Sequence, residues 1–375
     1  MIPPARAAAR RRGSRTLCAL LAALLCAVGT AAPAGAASVA PPPTIEQLVG
    51  QKLIVRMEGR VPSPALLGRI RRGEIGGVVL FSFNLVDAAA LRRLTAQLQG
   101  AAREGGQPRL LIAVDQEGGG VRRIPWAPPR RSAPAIGRLG VAVARAEGRA
   151  TGAALRALGI NLDLAPVADV DPSGRGFMAR AGRTLSASPT RAGAVATAFA
   201  LGLQAEGVVA TVKHFPGIGR VAQNSDRFVS SVGASRADLE RDLLPFRAAI
   251  AGGVQAIMLS NVAYDAYDPR AAAGWSHAIA TTLLRDTLGF RGVTITDSLD
   301  GTAHARGVAA RALAVAAARA GSDLLLLTGS EQTSAAAFDL LCAEARAGRL
   351  ARGTLAAAYG RILALKAGAG GTLAP

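Results

Sequence analysis

Several apolar runs in this 375-residue chain end in groups able to do chemistry. Asp115 closes "LLIAVD", Lys213 and His214 end "VVATVKHF", Asn261 closes "IMLSN" and Asp297 closes "VTITD". An ionised carboxylate held rigidly at a strand end can act as a nucleophile or stabilise positive charge on a neighbouring carbon. Lysine and histidine beside it can orient a polar substrate through charge-assisted hydrogen bonds. Any one strand-ending Asp is more simply read as the N-cap of the next helix. Polar groups recurring at so many carboxyl ends point instead to a shared polar mouth, sized for a sugar or a phosphate. The loop "TVKHFPGIGRVAQNSDRF", Thr211 to Phe228, adds Asn224 and Asp226. Asp226 can hand over a proton at neutral pH only where a desolvated site lifts its pKa above the unperturbed value of about 3.9. The same "NSD" also fits an Asx-turn that closes the loop.

The elements that must position these groups are strand-length apolar runs: "KLIVRM", "GGVVLF", "RLLIAVD", "NLDLAPV", "VVATVKHF", "QAIMLSN", "GVTITD" and "SDLLLLTG". They are continuous rather than alternating, and Ala-, Leu- and Arg-rich helical segments separate them, such as residues 87–100 and 192–207. Continuous apolar strands alternating with helices predict a parallel sheet covered on its outer face. Eight such units in one chain favour a single-domain (β/α)8 barrel, a TIM barrel of the α/β class, over an open doubly wound sheet. No Gly-rich dinucleotide fingerprint follows the first strand, which weakens the open-sheet alternative. In a barrel the carboxyl ends converge on one face, so Asp115, Lys213, His214, Asn261 and Asp297 are expected to meet.

The N-terminus reads differently. Arg6, Arg10, Arg11, Arg12 and Arg15 precede the apolar stretch Leu17 to Val28, which is too short to span a bilayer, and "PAGAAS" supplies the small residues of a cleavage site. Residues 1–37 are expected to be a signal peptide, residues 38–43 ("SVAPPP") a Pro-rich linker, and residues 44–375 the barrel. The protein is then secreted or cell-wall associated. A lipid anchor at Cys26 is disfavoured because Leu25 precedes it where such signals carry a small residue. Cys18 and Cys26 leave with the signal, so Cys342 remains alone, without an internal disulfide or a Cys-based metal site.

The formal charge of +19 drops by the five signal arginines to +14. An anionic wall polymer or membrane surface would suit that charge. Arg is everywhere, however, while Lys occurs only at positions 52, 213 and 366, the mark of a compositional bias. Nucleic acid is not an expected partner for an exported chain without interleaved aromatics. The histidines His214, His277 and His304 share no metal-ligand spacing, and neither a metal nor an organic cofactor is expected. A monomer is the expectation.

The segments "VDQEGGGVRRI", "KHFPGIG" and "GFRGVTITDSLDG" resemble the catalytic barrel of glycoside hydrolase family 3, and within it the single-domain β-N-acetylhexosaminidases. "TIEQLVGQKLIV", "IGGVVLFSFN", "AGRTLSASP" and "RILALKAG" extend the resemblance over essentially the whole mature chain. The resemblance implies a retaining mechanism through a covalent glycosyl-enzyme, with Asp297 as nucleophile. It implies that Asp115 accepts hydrogen bonds from sugar hydroxyls and that Arg123, Arg183, Lys213 and His214 surround the same sugar. Asp300 is expected to cap the following helix or to pair with a cation. A carbohydrate is the implied partner, and terminal β-linked N-acetylglucosamine of peptidoglycan fragments or chitin-type oligosaccharides the implied substrate.

The loop departs from that pattern. The hexosaminidase branch reads K-H-F-P-G-H-G, four residues, then D-S-H, whose last His is the general acid/base oriented by the Asp. Here Ile218 replaces the first loop His, Asn224 stands in the Asp place and Asp226 in the acid/base place. Three readings follow. Asp226 is the proton donor and Asn224 orients it; or His304, Asp169 or Asp171 supplies the proton; or the protein binds sugar without turning it over. Gly120 and Asn261 also stand where the family commonly has Arg and His. Within enzymes, a β-glucosidase or β-xylosidase is the alternative.

Overall fold

The computed structural model describes residues 42–369; the expected signal peptide, with Cys18 and Cys26, and most of the linker lie outside the described residues. Each of the eight apolar runs contains one strand of a single parallel sheet: β1 (Leu53–Arg56), β2 (Gly77–Val79), β3 (Leu111–Val114), β4 (Leu162–Asp163), β5 (Val209–Phe215), β6 (Ala256–Leu259), β7 (Val293–Thr296) and β8 (Leu325–Leu327). Neighbours in sequence are neighbours in the sheet, and β1 pairs with β8 in register Leu53 to Leu325. Between β7 and β8, Thr296 N donates to Leu324 O and Leu324 N to Thr294 O, which closes the ring. The chain therefore folds as the expected (β/α)8 barrel.

Burial on both faces explains why the strands read as continuous apolar runs. Ile54, Val79, Leu111, Leu162, Leu164, Met258, Ile295 and Leu326 fill the barrel interior, and Ile362 and Leu365 of the C-terminal helix join them. The intervening residues, such as Leu53, Val55, Ile112 and Val114, pack outward against the helices. Helix Ala88–Glu104 starts on Asp87, whose carboxylate accepts from Ala90 N at 2.7 Å, and buries Leu91, Leu94, Thr95, Leu98, Ala101 and Ala102 at helical spacing. Helices Val141–Ala157 and Pro189–Ala205 approach so closely that a Cβ on Gly148 would sit 2.2 Å from Phe199 O.

Candidate active site

The upper layer of the barrel interior, Val79, Leu164, Met258 and Leu326, is the floor of a cavity of about 300 Å³ at the carboxyl ends of the strands. Asp115, Arg123, Arg183, Lys213, His214, Asp226 and Asp297 all line it. Strand alternation would send only one of the adjacent Lys213 and His214 inward. The β5–β6 ladder shifts register between Val212 and Phe215, and this irregularity lets both reach the mouth.

The wall below the sugar-sized space is an ion network. Lys213 Nζ lies 2.8 Å from Asp115 Oδ1 and 2.7 Å from Glu117 Oε1. Arg183 grips Glu117 from the other side, Nε to Oε2 at 2.8 Å and Nη2 to Oε1 at 2.6 Å. Arg123 Nη2 stands 3.6 Å from Asp115 Oδ2. Burial by itself would raise both carboxyl pKa values. Lys213 and Arg123 outweigh it at Asp115, whose pKa falls below the ordinary value, and Lys213 with Arg183 pull Glu117 down to about 2. Lys213 is only 2% exposed, yet the two carboxylates hold it charged, its pKa raised against the burial. Gln116 fixes this segment from behind, its amide bridging Ile124 N, Ile124 O and Pro128 O.

Glu117 was not among the residues singled out from sequence, although it stands in the quoted "VDQEGGGVRRI". The available signal was charge balance, because buried cations need anions and Asp115 alone cannot neutralise Lys213 and Arg183 together. Glu117→Gln is expected to leave both cations undercompensated. The fold should lose about 3 kcal/mol or more in urea unfolding, and kcat/KM should fall roughly a hundredfold. Parent-like values in both measurements would show that the network is decorative.

His214 is set by Asp169. Its Nδ1 lies 2.7 Å from Asp169 Oδ2, while Asp169 Oδ1 accepts from the backbone N–H groups of His214 and Ile218. With Nδ1–H donating, Nε2 is the nitrogen left for the cavity. These bonds correct two of the alternative proton donors. Asp169 is fully occupied behind His214, and Asp171 ties its own loop together, accepting from Ser173 N, Ser173 Oγ and Gly176 N. His304 is exposed on helix Leu299–Arg306 and does not line the cavity.

Asp297 follows β7, and its Oδ1 accepts from Ser298 N at 2.8 Å. It is not the N-cap of the next helix; that is Ser298, whose hydroxyl accepts from Gly301 N. Nor does Asp300 cap the helix: its Oδ2 accepts from Thr328 N and pins the end of β8. Asn261 is buried and donates to Ser298 O at 2.7 Å, so it steadies the loop that follows Asp297 without lining the cavity. Gly120 sits exposed on the hairpin tip, also outside the lining.

The expectation that Asn224 orients the Asp226 carboxyl is corrected. Asn224 Oδ1 accepts from Asp226 N at 2.9 Å, the Asx-turn geometry, and so shapes the backbone only. Asp226 is partly buried, and its Oδ1, shielded from solvent, has no hydrogen-bond partner among the described residues. Phe177, Met178 and Ile218 supply apolar walls to the same cavity. Burial first, and then the negative charge of Asp297, push Asp226 up to about 7. Ile218, where the hexosaminidase pattern has His, contributes to that dryness. The loop also needs Gly301: a Cβ there would lie 3.1 Å from Asp226 Cβ. Asp226 and Asp297 thus line one cavity together with Asp115, and burial and the charge of Asp297 favour the protonated form of Asp226.

Comparison with known proteins shows the family. The chain is 34% identical over 319 residues to an uncharacterised secreted glycosyl hydrolase of Arthroderma benhamiae, covering 81% of this chain and 88% of that protein. It is 35% identical over 278 residues to a β-hexosaminidase of Methylococcus capsulatus, covering 71% and 79%. A solved family 3 β-N-acetylglucosaminidase from Paenibacillus superposes with a TM-score of 0.83 at 33% identity; the match covers 89% of this chain and 65% of that one. The profile of the "Glycosyl hydrolase family 3 N terminal domain" matches residues 44–365. The chain belongs to glycosyl hydrolase family 3 and is a glycoside hydrolase.

Proposed function

We propose that the protein is an exported, retaining β-N-acetylhexosaminidase that releases terminal β-linked N-acetylglucosamine from peptidoglycan fragments or chitin-type oligosaccharides. Asp297 attacks the anomeric carbon and carries the covalent glycosyl-enzyme. Asp226 protonates the departing oxygen and then deprotonates the incoming water. Asp115, with Arg123, Arg183, Lys213 and His214, orients the sugar ring. The observation that carries this reading is the pairing of Asp226 and Asp297 in one cavity, with Asp226 lifted to about 7 by burial and by Asp297. Export is supported by the basic and apolar N-terminal segment and by the secreted relative.

A panel of nitrophenyl β-glycosides offered to the purified mature protein tests the specificity. The N-acetylglucosaminide should be cleaved at least tenfold faster than the glucoside or xyloside, since a pocket built to read a polar substituent discriminates strongly against its absence. Preference for the glucoside or xyloside would reassign the substrate. Inertness on the whole panel would leave a sugar-binding protein.

A further inference from the structure

Beyond the cavity, the rim carries an aromatic pair whose placement folding alone does not explain. Phe81 lines the cavity, and Phe83 stacks on it with ring centroids 5.8 Å apart and planes within 6°. Phe83 is nevertheless 49% exposed, so half of a large apolar ring faces water with little return in stability. Val61 and Val86, on the two loops that flank this turn, are exposed as well.

The pair is held rigidly. Ser82–Asn84 forms one 3-10 turn, and the buried Asn84 accepts from Phe81 N at 2.8 Å while its amide donates to Met57 O and Gly59 O. Ser82 Oγ donates to Arg123 O. The Arg123 guanidinium lies 5.6 Å from the Phe81 ring centroid and reaches Asp115. An unbroken path of contacts therefore runs from the sugar-reading carboxylate, through Arg123 and Phe81, out to Phe83.

The barrel layer closes the cavity floor, so a saccharide whose end residue fills it must leave across the rim. β-Linked pyranose rings carry their hydroxyls at the edge and present C–H faces, an apolar patch that fits a flat exposed ring. We propose that Phe83, stacked on Phe81, is a platform for the leaving portion of a neutral β-linked oligosaccharide, and so determines preference for chain length. This rests on the hexosaminidase reading of the cavity.

The test compares Phe83→Ala and Phe83→Trp with the parent in the full mature chain, on β-N-acetylglucosaminyl fluoride and on the β-linked N-acetylglucosamine trisaccharide. The fluoride leaving group cannot reach the rim. Phe83→Ala should raise KM for the trisaccharide roughly 3- to 10-fold at unchanged kcat. Fluoride kinetics should stay at the parent value, and Phe83→Trp should restore the trisaccharide KM. Equal losses on both substrates would make Phe83 a brace for Phe81, and an unchanged trisaccharide KM would place the leaving portion elsewhere; either overturns the platform. A parent inert on both substrates would instead sink the hexosaminidase reading. Titration of the trisaccharide and of N-acetylglucosamine into Asp297→Ala then decides the platform without turnover: adding Phe83→Ala must weaken only the trisaccharide, and unchanged trisaccharide affinity rejects it.

Discussion

Asp297→Ala should abolish turnover while leaving the fold intact. The side chain is only partly buried and makes its hydrogen bond to Ser298 N, so little packing is lost with it. The chemistry loses its nucleophile, and kcat is expected to fall on the order of 10⁴-fold or more. Urea unfolding should stay within about 1 kcal/mol of the parent. Removing that negative charge also removes the largest influence after burial that raises Asp226, whose pKa should drop from about 7 toward the ordinary carboxylate range. External azide, small enough to enter the vacated space, should partly restore cleavage of an activated aryl glycoside. Near-parent kcat in Asp297→Ala would remove the mechanism.

Asp226→Asn should hurt each substrate in proportion to its leaving group's need for a proton. General acid catalysis contributes roughly 10² to 10⁴, so natural disaccharides should become nearly inert. A nitrophenyl glycoside should still react with Asp297, and its kcat should fall through slow release of the intermediate. The pH profile carries a sign. Asp226 must be protonated for the first step, so the parent should lose kcat/KM as pH rises through about 7, and that basic limb should vanish in Asp226→Asn. Stability moves in the same direction. The native pKa is raised above the unfolded value, so the parent fold is penalised as pH rises from 3.8 through about 7. Asp226→Asn should therefore melt higher than the parent at pH 8, with the gap shrinking by pH 5. Parent-rate disaccharide cleavage by this variant would mean that the proton comes from elsewhere.

The barrel was legible because parallel strands are buried on both faces, and that leaves an apolar run wherever a strand must be. The mouth was legible for a related reason, since an ionisable group at the end of such a run has nowhere to go but the carboxyl face. What could not be read was which polar atom each loop residue serves. Asn224 fitted both a partner for the Asp226 side chain and an Asx-turn, and it is the turn that forms, its Oδ1 serving a backbone N–H. Asp169 looked like a free acid and is consumed in holding His214. Those choices depend on which donors the neighbouring loops bring, a tertiary matter that spacing does not encode. Lysine scarcity was an ambiguous guide. All three lysines are buried, but Lys52 and Lys366 bond the carbonyls of Ser322 and Gly76 at the amino ends of the strands, far from the carbohydrate face.

The central claim is that Asp226 and Asp297 divide the work of a retaining glycosidase between a proton donor and a nucleophile. Intact-protein mass spectrometry of Asp226→Asn, quenched during turnover of nitrophenyl β-N-acetylglucosaminide, tests it most directly. The account predicts a population heavier by one N-acetylhexosaminyl residue, with proteolysis placing the added mass on the peptide that contains Asp297. Protein of unchanged mass despite released nitrophenol, or a sugar attached to any other residue, would contradict it.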